Sequence, residues 1–223
     1  MGVFMNSGKC GINLVGHVQF PKFADVRCLM MPFIQGEPSS VPSLYAAYSE
    51  VIANNFFKKG EIGFLTIDES FVEQGKPHRG QRAKTLRALH TEAGIAPGRT
   101  YRWGGPNPGW GRSPHGVTLE RDVKVLLASN LDDSCAVWAA EHEDTSDDGD
   151  IGHVAHQYPY EDAFLLKAGQ LCEIGILTPH ESLPVTCSTN RQFLRIISSG
   201  VHGREPYFTE NPLVPLPNSA ASA

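Results

Sequence analysis

Short apolar runs separated by polar turns fill the second half of the chain. They read DVKVLLASNL, SCAVWAAE, AHQYPYEDAFLLKAG, QLCEIGIL and RQFLRIIS. Runs of this length, bounded by turn residues, are typical of β-strands. No helical pattern separates them, as a parallel α/β fold would require. The pattern therefore predicts a mainly β chain, folded as a β-sandwich or jelly roll.

The first part of the chain predicts a strand, a helix and a second strand. RCLMMPFI at 27–34 and EIGFLTI at 61–67 indicate strands. Between them, apolar residues at 44, 48, 51, 52 and 56 form a helical stripe, with Pro42 and Ser43 at its start and Gly60 at its end. We expect one domain over 1–223, divided into N-terminal support at about 1–60, a core at about 61–208 and a frayed tail at about 214–223.

Composition and charge exclude several classes of protein. The chain has 223 residues, 41% of them apolar and 19% charged, with a net charge of −5. The basic cluster HRGQRAKTLR lacks interleaved aromatic residues, so we expect no nucleic-acid partner. Five cysteines without CxxC spacing favour a reducing, cytoplasmic setting. No apolar run reaches about 18 residues and the start lacks a signal-peptide pattern, so we expect no membrane association.

Two short motifs carry candidate chemistry. In GILTPHESLPV, His180 stands between Pro179 and Pro184, where an apolar strand gives way to a loop. In LHTEAG, His90 and Glu92 are two residues apart and share a face if the segment is extended. Two histidines and one carboxylate are the set that binds iron(II) on one face and leaves the other positions open.

Two arginines follow the distal histidine at regular spacing. Arg191 and Arg195 lie eleven and fifteen residues after His180, on one face of the last apolar strand. Cations directed inward from an apolar strand are costly unless anions meet them. Since a guanidinium can hold a carboxylate through two hydrogen bonds, a dicarboxylate is a suitable ligand.

These segments resemble the iron(II) and 2-oxoglutarate dependent dioxygenase superfamily over roughly residues 61–200. LHTE resembles the HxD/E motif of that superfamily. The segment that carries the distal histidine in the superfamily resembles LKAGQLCEIGILTPHESLPV, and the strand that carries the co-substrate arginine resembles NRQFLRI. The resemblance implies a double-stranded β-helix, a cupin-like jelly roll, flanked by N-terminal helices. It further implies Fe(II) held by His90, Glu92 and His180, with Arg195 or Arg191 gripping the far carboxylate of 2-oxoglutarate. Arginine spacing and HxE resemble taurine dioxygenase-like and clavaminate synthase-like members, whereas HESLPV resembles prolyl hydroxylase-like members.

Other residues could supply the first histidine or the carboxylate of the metal site. His142 begins a formal HxD, and His115 is followed by Val117 where the carboxylate would stand, a pattern similar to halogenating members. Asp68 and Glu69 are further sources of a carboxylate. Many plant-type members have an RxS pattern, in which a serine follows the arginine by two residues. That pattern is absent at Arg191, because Phe193 stands where the serine would be.

The loop from Arg99 to Gly116, which is rich in glycine, proline and tryptophan, is the expected substrate side. Its candidate substrate-binding residues are Arg99, Arg102, Trp103, Trp110 and His115. The expected function is oxidation, with O2, of an unactivated C–H of a small carboxylate-bearing molecule, by hydroxylation, desaturation or cyclisation. The alternatives are a prolyl hydroxylase-like enzyme acting on peptides and a metal-free cupin-like binding protein. In that binding protein, Arg191 and Arg195 would pair with acids such as Glu173 or Glu181. The pattern does not set the oligomeric state.

Overall fold

A six-stranded antiparallel sheet dominates the computed structural model of the protein, which is mainly β. The structure describes residues 11–55, 57–78, 87–96, 100–103, 123–143, 149–198 and 209–214, with backbone alone for 93–96 and 100–103. The strands are β1 (Asn13–His17), β2 (Arg27–Ile34), β3 (Ile62–Val72), β4 (Ala93–Ala96), β5 (Thr100–Trp103), β6 (Lys124–Ser129), β7 (Cys135–Val137), β8 (Phe164–Leu165), β9 (Gln170–Gly175), β10 (His180–Ser182) and β11 (Thr189–Ile197). The helix α1 (Ser49–Asn54) and four 3-10 helices, Pro38–Ser40, Ser43–Tyr48, Gly152–Gln157 and Tyr160–Asp162, complete the described elements.

The strand order places β11 near the middle of the large sheet. That order is β1-β9-β6-β11-β3-β2, and every neighbouring pair is antiparallel. A three-stranded sheet, β10-β7-β8, and a β4-β5 hairpin are separate from it. Because β11 pairs with β3 over its whole length and with β6 over Phe193–Ile197, its side chains are held rigidly.

Alternation along β11 gives the large sheet two different faces. Leu194 and Ile196 belong to a core cluster with Tyr45, Tyr48 and Ile52 from the helical segment. The opposite face includes Ile197 and the partly buried Phe193, which pack in a second cluster with residues of the smaller sheet. Successive strand side chains point to opposite faces, so Arg191 and Arg195 share the face of Phe193. Both arginines therefore face the space between the two sheets.

The helical segment differs from the predicted single helix. Residues Ser43–Tyr48 form a 3-10 helix, and only Ser49–Asn54 is α-helical. The backbone leaves the helical conformation at Asn55, whose φ and ψ are −126° and 87°. Val51, Ile52, Asn54 and Asn55 are weak helix formers, so little propensity supports a longer helix here. Within the described ranges, no helix has both the length and the apolar character needed to cross a bilayer.

Candidate metal and anion site

Backbone pairing brings the two predicted motifs together. The amide of His90 donates to the carbonyl of His180 at 3.0 Å, and the amide of His180 donates back at 2.9 Å. The amide of Glu92 donates to the carbonyl of Ile176 at 3.0 Å. The His90 segment forms an isolated bridge rather than a full strand, yet both imidazoles reach the same place, with ring centroids 4.1 Å apart.

Both imidazoles are oriented by a carbonyl two residues earlier in the chain. Nδ1 of His90 lies 2.7 Å from the oxygen of Ala88, and Nδ1 of His180 lies 2.9 Å from that of Thr178. Because a carbonyl oxygen only accepts hydrogen bonds, Nδ1 carries the proton and Nε2 the lone pair in each neutral ring. This tautomer is the one that presents Nε2 to a metal ion.

Glu92 completes a group of three buried donors. One oxygen of its carboxylate lies 3.3 Å from Nε2 of His180. Ligand atoms of His90, Glu92 and His180 all lie within 4.8 Å of one another, and the three residues are at most 8% exposed. Metal bonds to imidazole and carboxylate are roughly 2.1 Å, so neighbouring donors about 3 Å apart suit one ion. The three residues could therefore hold one metal ion, and three protein ligands would leave further positions on it open.

The rival ligands do not join this group where the structure describes them. His142 is buried elsewhere, with Nδ1 2.7 Å from the hydroxyl of Tyr158. Glu69 accepts hydrogen bonds from the backbone amides of Ala24 and Val26, and Asp68 lies beside His78. The prediction that names His115 falls outside the described residues, as does Asp144.

Arg195 is occupied by Glu92. Its Nη1 lies 3.0 and 2.8 Å from the two carboxylate oxygens, and its side chain is 1% exposed. Nη2 lies 3.2 Å from the sulfur of Met30 and 3.4 Å from the hydroxyl of Thr66. This arginine therefore neutralises and fixes the carboxylate of the candidate metal site.

In the described part of the chain, the partners of Arg191 are neutral groups. It donates to the hydroxyls of Ser129 and Ser182, to the carbonyl of Ser134 and to the sulfur of Cys135. Arg191 is 1% exposed, and across the described part of the chain no carboxylate lies within ion-pair distance of it. Burying a charge without an opposite charge is costly, so this guanidinium favours an anionic ligand.

One cavity of about 250 Å³ connects these groups. The candidate metal residues and Arg191 line it, and Leu127, Val137 and Phe193 contribute apolar wall. A space of this kind suits small molecules, with a few polar groups that fix their orientation. The cavity therefore places the buried guanidinium of Arg191 and the candidate metal residues in reach of one ligand.

A second ion pair holds the two histidine segments in place. Arg87 donates through Nε to Oε2 of Glu181 at 2.9 Å, and its Nη2 lies 2.8 Å from the same oxygen. Its Nη1 donates to the carbonyls of Ala155 and Tyr158. The guanidinium also lies 4.3 Å from the ring centre of Tyr160. Because Arg87 precedes His90 by three residues and Glu181 follows His180 directly, the pair locks both segments together.

Glu173 and Glu181, the acids expected to pair with the arginines of β11 in a metal-free protein, have other partners. Glu181 pairs with Arg87, and Glu173 pairs with Lys124 at 3.4 Å. Among the described contacts, Arg195 pairs with Glu92, and Arg191 meets hydroxyls, a carbonyl and a sulfur rather than either of these acids.

The predicted substrate loop is described only at its start. Arg99, Trp110 and His115 lie outside the described residues. Arg102 and Trp103 belong to β5, where their backbones pair with Gly94 and Ala93. Since Ala93 directly follows Glu92, this hairpin begins at the candidate metal site.

Several residues of the cavity were not predicted from sequence. Cys135 and Ser182 line the cavity, and together with Ser129 they contact Arg191 from three different strands. Arg27 and His78 line the cavity beside Asp68, which sequence reasoning considered only as a metal ligand. The alternation Thr66, Asp68, Ser70 in LTIDES is the signal that places polar groups on one face of β3.

Comparison of the chain with models of protein families, with curated proteins and with solved structures found no match.

Proposed function

We propose that the protein is a non-haem, iron(II) and 2-oxoglutarate dependent oxygenase of a small molecule. The observation that carries the proposal is a single cavity with two distinct features. One is the buried group of His90, Glu92 and His180, and the other is a buried guanidinium, Arg191, without a carboxylate partner in the described part of the chain. The large sheet facing a smaller one across this cavity supports a double-stranded β-helix as the finer description of the fold.

Each cavity residue has a role in this proposal. His90, Glu92 and His180 would hold the metal, and Arg191 would bind the far carboxylate of 2-oxoglutarate. When bound, iron(II) with 2-oxoglutarate supplies the activation of O2 needed to oxidise an unactivated C–H. Arg195 keeps the Glu92 carboxylate fixed, and the apolar walls exclude water from the bound molecules.

This assignment chooses between the two arginines of the sequence prediction. Arg195 already has a carboxylate partner, at 2.8 Å, whereas the contacts of Arg191 are hydroxyls, a carbonyl and a sulfur. A dicarboxylate gains more from the arginine whose charge is not yet compensated. We therefore assign the co-substrate to Arg191.

The test is an anaerobic titration of purified protein with iron(II) and 2-oxoglutarate, followed by its weak visible charge-transfer band. We expect the band in the wild type and its loss in His180→Ala. In Arg191→Met, formation of the band should require at least about tenfold more 2-oxoglutarate, because the substitution removes a charge-assisted contact. The control His153→Ala changes an exposed histidine and should behave as wild type.

A metal-free cupin-like binding protein is the second candidate, favoured by the Arg195 and Glu92 pair, which satisfies the carboxylate without a metal. Folded wild-type protein that takes up no iron would favour this candidate. Iron uptake without the band would reject 2-oxoglutarate and indicate a different metalloenzyme.

A further inference from the structure

Three polar side chains form a rim on the β2 side of the cavity. Arg27, Asp68 and His78 all line the cavity. Arg27 is opposite Asp68 in the register of β2 and β3, and its Nε lies 3.7 Å from Oδ1 of that carboxylate. Nε2 of His78 lies 3.4 Å from Oδ2 of Asp68 and 2.6 Å from the hydroxyl of Ser70.

The rim lies about two strands away from the arginines of β11. Asp68 pairs with Phe193, which stands between Arg191 and Arg195, and Arg27 is one strand further out. Neighbouring strands are about 4.8 Å apart, so Arg27 is roughly 10 Å from β11 across the sheet. A small linear molecule held at the rim can therefore extend its other end into the cavity.

Arg27 and Asp68 lie close together without a hydrogen bond between them. A closed pair between a guanidinium and a carboxylate has N to O distances of about 2.8 Å, shorter than the 3.7 Å found here. The side chains of Arg27 and Asp68 are 74% and 39% exposed, although Oδ1 of Asp68, the oxygen that faces Arg27, is itself buried. A ligand with one charge alone would meet a like charge at the rim.

His78 adds a hydrogen-bonding group to the rim. Its side chain is only 6% exposed, and among the described residues Nδ1 has no hydrogen-bond partner. Both of its polar contacts use Nε2, whereas a Ser-His-Asp triad places serine and aspartate on opposite ring nitrogens. His78 therefore suits ligand recognition through Nδ1 better than nucleophilic catalysis with Ser70.

We propose that this rim binds the zwitterionic headgroup of a free amino acid, which is then the substrate class of the oxygenase. The inference rests on the proposed function for what happens to the substrate. The ammonium group pairs with Asp68, the carboxylate with Arg27, and Nδ1 of His78 forms a hydrogen bond with the headgroup. The amino-acid side chain lies along the wall that includes Leu29 and Phe193, towards the candidate metal residues.

The test begins with anaerobic protein loaded with iron(II) and 2-oxoglutarate, whose visible band reports the proposed function. The twenty standard L-amino acids are then titrated by calorimetry. The tightest binder is compared with its decarboxylated amine and its deaminated acid. We expect the amino acid to bind about tenfold more tightly than either, because each analogue loses one charge-assisted contact.

Two variants separate the rim from the metal site. Asp68→Asn and Arg27→Gln should each weaken amino-acid binding about tenfold and leave the visible band unchanged. The control Lys167→Gln removes one member of an exposed pair that does not line the cavity, and should bind as wild type.

Each other outcome has a defined meaning. The headgroup assignment would be overturned if the deaminated acid or the decarboxylated amine bound as tightly as the amino acid. It would also be overturned if the visible band formed and no amino acid bound. Amino-acid binding that depends on Asp68 and Arg27 in protein without the band would reject the oxygenase and support the rim site.

Discussion

Two arginines four residues apart on β11 have different surroundings. Arg195 contacts both oxygens of Glu92, whereas Arg191 contacts hydroxyls, a carbonyl and a thiol. Groups that hydrogen-bond a metal ligand fix its orientation and strengthen metal binding. In the proposed function, Arg195 therefore positions the carboxylate of the candidate metal site, and Arg191 is the arginine assigned to an anion.

The first prediction concerns Arg195 as a positioning residue. Arg195→Met should lower the affinity for Co²⁺ by about 10-fold to 100-fold, because Glu92 loses the N–H groups that orient it. Arg195→Lys should recover part of the loss. Arg191→Met is the matched control and should change Co²⁺ affinity little. The measurement is calorimetric titration with the metal alone, and wild-type affinity in Arg195→Met would contradict this role.

The second prediction concerns the cysteine thiols. Burial raises the pKa of Cys172 to about 12 and that of Cys28 to about 11, while Cys187 is exposed. Since the thiolate is the nucleophile, only about one Cys172 thiol in ten thousand is reactive at pH 8. Iodoacetamide should label Cys187 in native protein, and Cys28 and Cys172 only after unfolding. Peptide mass spectrometry measures this, and equal labelling in native protein would contradict the burial.

The elements that carry the histidines have little pairing of their own. β10 has three residues, and the segment around His90 forms only isolated bridges. The hydrogen-bonded ion pair between Arg87 and Glu181 supplies the missing rigidity, since Glu181 is buried and its partner contacts two further carbonyls. The histidine positions therefore depend on a pair outside the candidate metal group.

The third prediction tests this pair. Glu181→Gln should lower the free energy of unfolding by about 3 kcal/mol, because it leaves a largely buried guanidinium without its counter-charge. The control Asp133→Asn breaks an exposed pair with Lys167 and should cost less than about 1 kcal/mol. Urea unfolding followed by fluorescence gives both values. Equal losses in the two variants would show that the buried pair has no special role.

At the scale of the whole molecule, the space between the two sheets holds a buried positive charge. Arg191 comes from the large sheet, and Ser182 and Cys135 come from the smaller one. A ligand that binds only the folded state stabilises it, in proportion to the logarithm of its concentration over its dissociation constant. An anion at this position should therefore stabilise both sheets together.

The fourth prediction follows from this charge. A large excess of 2-oxoglutarate, at about 100 times its dissociation constant, should add about 2.7 kcal/mol to the stability of wild-type protein. Arg191→Met should remove this effect. Thermal unfolding with and without the dicarboxylate measures it, with sodium chloride at equal ionic strength as the control. Equal stabilisation by both salts would contradict a specific anion site.

Local patterns determined much of this molecule. The alternation of RQFLRIIS predicted a strand with Arg191 and Arg195 on one face, because successive side chains point to opposite sides of a sheet. The strand predicted at 27–34 has those bounds in the structure. The spacing of His90 and Glu92 predicted their convergence, although the segment forms bridges rather than a regular strand.

Tertiary structure decided the partners of these residues. Which arginine contacts Glu92 depends on the register of β11 against β3 and on the path of residues 87–92, and neither is written in the local pattern. The helix predicted to begin at Pro42 and Ser43 and to end at Gly60 was too long, because the core accepts a 3-10 segment that propensity alone does not reveal. Periodicity sets which face a side chain takes, whereas charge pairing between distant segments arises only when the chain packs.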